Sequence, residues 1–311
     1  VDVPSNRFAW LNGRFVPESE AGFSVFDSGV TGGRMVFETS RTFGGRPFHL
    51  EEHLSRLMNS MRMAGITSEL DAAAMTAATI ETVKVNRAEF EWGEDFIITH
   101  NVSGGVPANL ARETGLRAGA NTSIHLWPLR DWHAERASWY DSGVRAVITA
   151  RPDSPATVLD PAMKHRDRLA FHLAENAAQE KDKESWALLA DAKGRITEGT
   201  SANFMLVSDG ILLSPPTAAA LPGITRRVIL DLARKAGIQF EERQLGSHDV
   251  DGADEAFFCA STFVIMPVAS IDGSPLSKAV PGPVTRLLMK DFSDLVGLDF
   301  VVQGKHYAGL T

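Results

Sequence analysis

Among nine lysines, Lys164 has the setting best suited to covalent chemistry. It follows Leu159-Asp-Pro-Ala-Met163, an extended approach containing Pro161, and the residues after it suggest a helix start. A lysine held there can be desolvated, lose its proton and attack a carbonyl to give a Schiff base. A solvated first-turn lysine would keep its charge in water, so the residue alone leaves both readings open. In Thr197-Glu-Gly-Thr-Ser-Ala-Asn203, Glu198 lies among small hydroxyl residues. Such a stretch is either an ordinary turn or a bed for a flat molecule lying close to the backbone. Leu221-Pro-Gly-Ile-Thr-Arg226 leads straight into an apolar periodic run. There the first-turn amides of Ile224 and Thr225, with the Thr225 hydroxyl, could cradle a phosphate. His49-Leu-Glu-Glu-His53 matches the inverted zinc-peptidase pattern, with both histidines on one helical face, but no third ligand can be named. A surface helix start with Glu51 and Glu52 near its positive end explains the same five residues.

Two mixed domains are expected to position these groups. In the first, Asn12-Gly13 joins Phe8–Leu11 to Arg14–Val16 as a hairpin, since Asn-Gly supplies the two positive φ angles of a type I′ turn. Met35–Phe43 reads as a strand turned by Gly44-Gly45. Leu50, Leu54, Leu57, Met58 and Met61 then predict a helix over His49–Met63. A second helix over Asp71–Phe90 and strands at Phe96–Val102 and Thr122–Leu126 complete a small α+β domain, residues 1–126. Residues 127–143 are polar, aromatic and turn-rich, and are taken as a linker. In residues 144–311 strands are expected at Val144–Ala150, Trp186–Ala190, Asn203–Val207, Ile211–Leu213, Glu255–Ala260 and Val264–Val268. Helices are expected from Lys164 to about Lys181, over Ile224–Ala236 with Gly237 as the stop, and over Pro281–Leu295.

The chain has 311 residues, 44% hydrophobic and 23% charged, with a formal net charge of −8. That is globular composition rather than that of a disordered chain, and the net negative charge argues against nucleic acid as a partner. The single cysteine, Cys259, excludes a disulfide framework and a cysteine-rich zinc site. No apolar run is long enough for a membrane span and no apolar signal core opens the sequence, so a cytoplasmic protein is expected.

In combination, the motifs are more specific. Lys164, Glu198-Gly-Thr-Ser-Ala-Asn-Phe204, Leu221-Pro-Gly-Ile-Thr-Arg226 and Ala260-Ser-Thr262 followed by Ile265-Met-Pro-Val268 resemble, in order and spacing, the class IV pyridoxal-phosphate aminotransferases. This group of fold type IV enzymes includes branched-chain, D-amino-acid and (R)-amine transaminases and aminodeoxychorismate lyase. The resemblance runs from about Phe8 to the C-terminal helix. It implies an α+β fold of two domains with the cofactor, pyridoxal 5′-phosphate (PLP), in the cleft between them.

The resemblance also assigns roles. Lys164 corresponds to the lysine that carries the cofactor as a Schiff base and then moves the substrate proton. Glu198 corresponds to the carboxylate at the pyridine nitrogen. Arg56 corresponds to the phosphate-binding arginine, a role that competes with the zinc reading of the same helix. Ile224, Thr225, Ser261 and Thr262 correspond to the phosphate cup. Phe37 and Arg41 match family positions on a strand facing the substrate, and alternation puts Phe37, Thr39 and Arg41 on one face. Thr99 falls at a pocket position of the small domain, as do Gly32 and Ile97. Arg112, in a Gly- and Pro-containing stretch, could swing in to assist Arg41 with a substrate carboxylate. No metal is expected.

The implied activity is transfer of an amino group from an amine or amino acid to a 2-keto acid by ping-pong kinetics. The implied assembly is a homodimer in which a small-domain loop completes the partner's site. Leu169 stands where branched-chain enzymes carry a tyrosine, and Lys164-His-Arg-Asp-Arg-Leu169 is more like the D-amino-acid transaminase and lyase branch. A lyase on the same cofactor is the nearer alternative. A zinc hydrolase using His49 and His53 is the distant one.

Overall fold

Asn12 (φ 50°) and Gly13 (φ 92°) both take positive φ, so the chain turns tightly between β1 (Phe8–Leu11) and β2 (Arg14–Pro17). This hairpin opens the first of two compact units in the computed structural model, which describes residues 6–90, 94–150, 159–276 and 279–310. The first unit comprises residues 1–129 together with 163–167. It contains α1 (Ser28–Gly32), β3 (Met35–Phe43), β4 (Arg46–Pro47), α2 (Leu50–Met63), α3 (Ala72–Asn86), β5 (Phe96–Val106), α4 (Ala108–Thr114) and β6 (Gly119–Pro128). The six strands form a sheet in the order β2-β1-β6-β5-β3-β4.

Alternation sorts the two faces of that sheet. Val36, Ile98, Val102, Ile124 and Leu126 join Leu50, Leu54, Leu57, Met61 and Met75 of the helices in one core. Leu54 and Leu57 are fully buried, each contributing about 1.5–3 kcal/mol by leaving water. On the opposite face, cross-strand register aligns Phe37 with Asn101 and Ser123, and Thr39 with Thr99 and His125.

The second unit comprises residues 130–162 and 168–311. After α5 (Leu129–Ala134) and α6 (Trp139–Ser142) come β7 (Val144–Ala150), α7 (Leu169–Lys181), β8 (Ser185–Ala190), β9 (Ile196–Gly199), β10 (Asn203–Ser208) and β11 (Ile211–Ser214). Then follow α8 (Ile224–Lys235), β12 (Phe240–Glu242), α9 (Ser247–Asp251), β13 (Glu255–Ala260), β14 (Val264–Ile271), β15 (Ser274–Pro275), α10 (Pro283–Val296) and α11 (Phe300–Tyr307). Six of the strands close on themselves: β10-β13-β14-β7-β8-β9, with β9 pairing back to β10. A closed ring removes its own edges and aligns the ends of β9, β10 and β13.

Three expectations change here. The stretch 127–143 is not a plain linker: α5 and α6 lie within it, with Tyr140 buried and donating its hydroxyl to the Phe263 carbonyl at 3.0 Å. Lys164 does not open a helix. Residues 163–167 belong to the first unit, where the Phe37 amide donates to the Lys164 carbonyl (3.0 Å) and the Arg166 amide to the Met35 carbonyl (2.8 Å). Extended backbone of this kind satisfies its polar groups by joining a strand edge, and α7 starts only at Leu169. Finally, α4 and α11 form where no helix was expected.

Candidate active site

Lys164 is presented by backbone contacts in the first unit. Its amide donates to Ser60 Oγ of α2 at 3.1 Å, and its carbonyl pairs with Phe37 of β3. Its Nζ lies 4.7 Å from the centre of the Phe37 ring. Two residues on, Arg166 sits over the same ring with Cζ at 3.9 Å, and its Nε donates to Asn101 Oδ1 at 2.7 Å. An i, i+2 pair on an extended segment shares a face, so Lys164 and Arg166 both join the open side of the sheet. Thr99 is buried on that side.

Arg56 is fixed from beneath the sheet. Its Nε and Nη2 donate to Glu38 Oε2 (2.8 Å) and Oε1 (2.7 Å), a two-pronged pair that sets the plane of the guanidinium. His53 Nδ1 lies 3.0 Å from Glu38 Oε1. Burial alone would raise the Glu38 pKa, but the Arg56 charge and the hydrogen bonds from His53 and Arg56 outweigh it, holding the carboxyl well below its ordinary range. This geometry removes the zinc reading. His53 is turned to Glu38, while His49, in a left-handed N-cap conformation, pairs with Glu52 at 2.6 Å. Among the described residues, no group of three or more His, Cys, Asp or Glu could hold a metal ion.

Arg41 has other partners than expected. It is 1% exposed, with Nη2 4.0 Å from Asp95 Oδ2, Nε donating to the Thr42 carbonyl and Cζ 4.1 Å from the Phe43 ring centre. Asp95 also accepts from Thr42 Oγ1 (2.6 Å) and the Gly45 amide (2.8 Å), so this cluster ties down the β3–β4 turn. Arg112 lies exposed on the short α4. The Asp95 pairing of Arg41 departs from its expected role at a substrate carboxylate.

Burial lowers His53, takes His100 to about 3 and, with the Arg166 charge, takes His125 to about 4. Thr79 Oγ1 gives its proton to the Met75 carbonyl, so His100 Nε2, 2.8 Å away, is the donor in a neutral ring. The folded protein therefore holds these rings neutral at pH values where the unfolded chain, with a pKa near 6.5, binds protons. Stability is complete above about pH 6.5 and falls as the pH drops towards about 4. Glu38 has a depressed pKa, and its contribution is lost only at lower pH still. Denaturant midpoints are expected to fall from about pH 7 to pH 5, with a shallower fall in His100→Asn. A midpoint constant over that range contradicts the assignment.

In the second unit, a cross-strand rung joins Glu198, Asn203 and Cys259. Glu198 Oε2 accepts from the Leu221 amide at 3.0 Å, and Asn203 Nδ2 donates to the Leu221 carbonyl at 2.8 Å. These two bonds fix the N-terminus of α8 close to Glu198. An added Cβ at Gly223 would come 1.9 Å from Asn203 Oδ1, so only glycine allows this approach. No side chain caps α8, and Thr225 is buried in its first turn. The first-turn amides of Ile224 and Thr225 are therefore left as donors at the positive end of the helix, which suits an anion. Ser261 and Thr262 lie in the turn after β13, half-buried, and the Thr262 carbonyl accepts from His133 Nε2 at 2.9 Å. Burial pushes the Cys259 thiol up to about 12, which leaves it a poor nucleophile. An acidic side chain, a bare helix start and adjacent hydroxyls fit a phosphorylated, nitrogen-containing ring.

Residues 35–271 match the family model for Amino-transferase class IV. The chain belongs to the class IV aminotransferase family and is a transaminase. It is 34% identical over 287 residues to a putative branched-chain-amino-acid aminotransferase of Methanocaldococcus jannaschii, covering 92% of this chain and 95% of that one. It is 29% identical to a D-alanine aminotransferase of Bacillus licheniformis, covering 89% and 92%. Among solved structures, it resembles a branched-chain aminotransferase from Thermoproteus uzoniensis with norvaline (TM-score 0.80, 26% identity, 94% and 95% covered). It also resembles a T.th. branched-chain amino acid aminotransferase complexed with N-(5'-phosphopyridoxyl)-L-glutamate (TM-score 0.80, 25% identity, 94% and 95% covered). The fold is thus that of the fold type IV transaminases. No described helix is long and apolar enough to cross a membrane.

The sequence reading missed Arg166, Asn203, Glu38 and Ser60. Arg166 had a signal: its i, i+2 spacing from Lys164 matters once that segment is extended. Asn203 had none beyond its place in the Glu198 motif.

Proposed function

We propose that this transaminase works with PLP, joined to Lys164, and transfers an amino group from an amino acid or amine to a 2-keto acid in two half-reactions. PLP, when bound, supplies the electron sink for the proton and amino-group transfers. Lys164 Nζ is the group that would hold the cofactor through its aldehyde carbon, and as a free amine it would carry the proton at the substrate Cα. Glu198 accepts a charge-assisted hydrogen bond from the ring nitrogen. The amides of Ile224 and Thr225, the hydroxyls of Thr225, Ser261 and Thr262, and Arg56 hold the phosphate. Phe37 lines the substrate side.

The observation that carries this reading is that Leu221, three residues before the uncapped start of α8, donates its amide to Glu198 and accepts from Asn203 at its carbonyl. That arrangement suits a ligand with a basic ring atom and an anionic tail, and the family is one of PLP enzymes. The proposal includes a homodimer, tested by light scattering, and a cytoplasmic setting, tested by fractionation. Purified protein is expected to bind PLP with a visible absorption band. It is then expected to pass amino groups from members of a panel including L-leucine, L-valine, D-alanine and 1-phenylethylamine to pyruvate or 2-oxoglutarate. A protein that turns over an amino substrate with no keto-acid acceptor present would instead be a lyase.

A further inference from the structure

Resting on that reading, we propose that His133 and Tyr140 are positioning residues for the phosphate end of the cofactor: they hold the turn that carries Ser261 and Thr262, and so set how tightly the phosphate is bound. All four residues belong to the second unit. β13 ends at Ala260, which pairs with Val264 of β14, so the turn between them is Ser261-Thr262-Phe263. Its last two carbonyls each accept a hydrogen bond from a side chain more than a hundred residues earlier. His133 Nε2 of α5 donates to Thr262 at 2.9 Å, and the Tyr140 hydroxyl of α6 donates to Phe263 at 3.0 Å. Two residues before Ser261, Cys259 pairs with Asn203, whose side chain donates to the Leu221 carbonyl ahead of α8. The clamped turn therefore continues the ladder that fixes the α8 start.

The backbone at the end of this turn is strained. Val264 takes φ 68°, in the left-handed region, where a β-branched residue is an outlier because its Cβ crowds the adjoining carbonyl. Such a conformation persists only where the surroundings over-determine it, and strain of this kind gathers at ligand clamps. Here the surroundings are the two donors and the rings packed about them. His133 is 0% exposed and Tyr140 1%. The Phe263 ring lies parallel to Trp132 (centroids 5.8 Å, planes 3° apart) and packs on Trp186 at 5.4 Å. Tyr140 also meets Phe300 edge-on at 5.7 Å. A Cβ at Gly304 of α11 would come 3.3 Å from Tyr140 Cε2 and 3.4 Å from His133 Nδ1. The C-terminal helix thus presses on both side chains and leaves them little room to release the carbonyls.

A clamp of this kind acts on the ligand through preorganisation. Peptide units are planar, so pinning the Thr262 carbonyl also fixes the Thr262 Cα, from which the hydroxyl side chain projects. At the other end, the Ala260–Val264 pairing fixes the strand that delivers Ser261. Donors already held in place lose little freedom when an anion arrives, and that saving appears as affinity. A turn freed from His133 and Tyr140 could relax towards an unstrained Val264 backbone and carry its hydroxyls away from the phosphate. The effect should reach only the part of the ligand that the turn touches.

The test strips the whole chain of cofactor and titrates it, by absorbance, with PLP and with pyridoxal, which lacks the phosphate. Tyr140→Phe removes one donor and keeps the ring. His133→Leu removes the other, while His133→Gln keeps an N–H at about the reach of Nε2. Tyr140→Phe and His133→Leu are each expected to raise the dissociation constant for PLP at least about fivefold, the scale of one lost hydrogen bond, and that for pyridoxal less than about twofold. His133→Gln should recover most of the PLP affinity. PLP binding equal to wild type in both donor-removing variants overturns the proposal. So does an equal loss for PLP and pyridoxal, which would make the two residues supports of the unit as a whole. If His133→Leu does not fold, Tyr140→Phe carries the same comparison alone. A wild type that takes up no PLP and transfers no amino group fails the functional reading instead.

Discussion

Lys164→Ala is expected to lower transamination by at least about 10⁴-fold, because in the proposed mechanism the side chain serves as both nucleophile and proton carrier. The structure isolates that effect. Residues 163–167 are held by main-chain bonds to Met35 and Phe37 and by the Lys164 amide to Ser60, none of which uses the ε-amino group. Lys164→Ala should therefore keep its urea midpoint near that of wild type while the half-reaction collapses. A small primary amine in the buffer should restore part of the rate by replacing the missing base. A variant with near-normal single-turnover rates would remove Lys164 from the chemistry.

Glu198→Gln is expected to slow the half-reaction on the order of 100-fold, matching a buried charge-assisted bond worth about 1.5–3 kcal/mol. One carboxylate oxygen accepts from the Leu221 amide. Glutamine can keep that bond with its carbonyl and so hold the α8 start in place. Its other terminal atom becomes an NH₂ group, which offers a donor where an acceptor is required. Phosphate-side binding should accordingly survive, and the loss should fall on the proton-transfer step. Rapid-mixing kinetics with a Cα-deuterated amino acid separate the two. An unchanged rate with cofactor bound would make Glu198 merely a turn residue.

Local signals gave the elements of this fold, and nonlocal pairing decided what they could not. The Asn12-Gly13 turn, the Leu50–Met61 periodicity and the Gly237 stop are each set within a few residues, and all three are present. The segment around Lys164 is different. Its charged run Lys164–Arg168 carries no helical stripe, and its conformation comes from an edge of β3 more than a hundred residues earlier in the chain. Alternation placed Arg41 on the face of Phe37 and Thr39, but its charge partner, Asp95, sits before another strand and gave no sign of the pairing. The α5 and α6 helices are too short for periodicity to mark them. The residues proposed to hold the cofactor were legible for the opposite reason: Glu198 and Leu221–Arg226 lie in contiguous motifs that can be read within a few residues. Glu38, which orients Arg56, looked in the sequence like any polar residue of a half-buried strand.

The central claim is that Lys164 carries the cofactor, and borohydride reduction of the PLP-treated protein followed by peptide mapping by mass spectrometry tests it most directly. The account predicts a phosphopyridoxyl mass on the peptide containing Lys164, absent when substrate amine is added before reduction. A label on any of the other eight lysines, or no label at all, contradicts it.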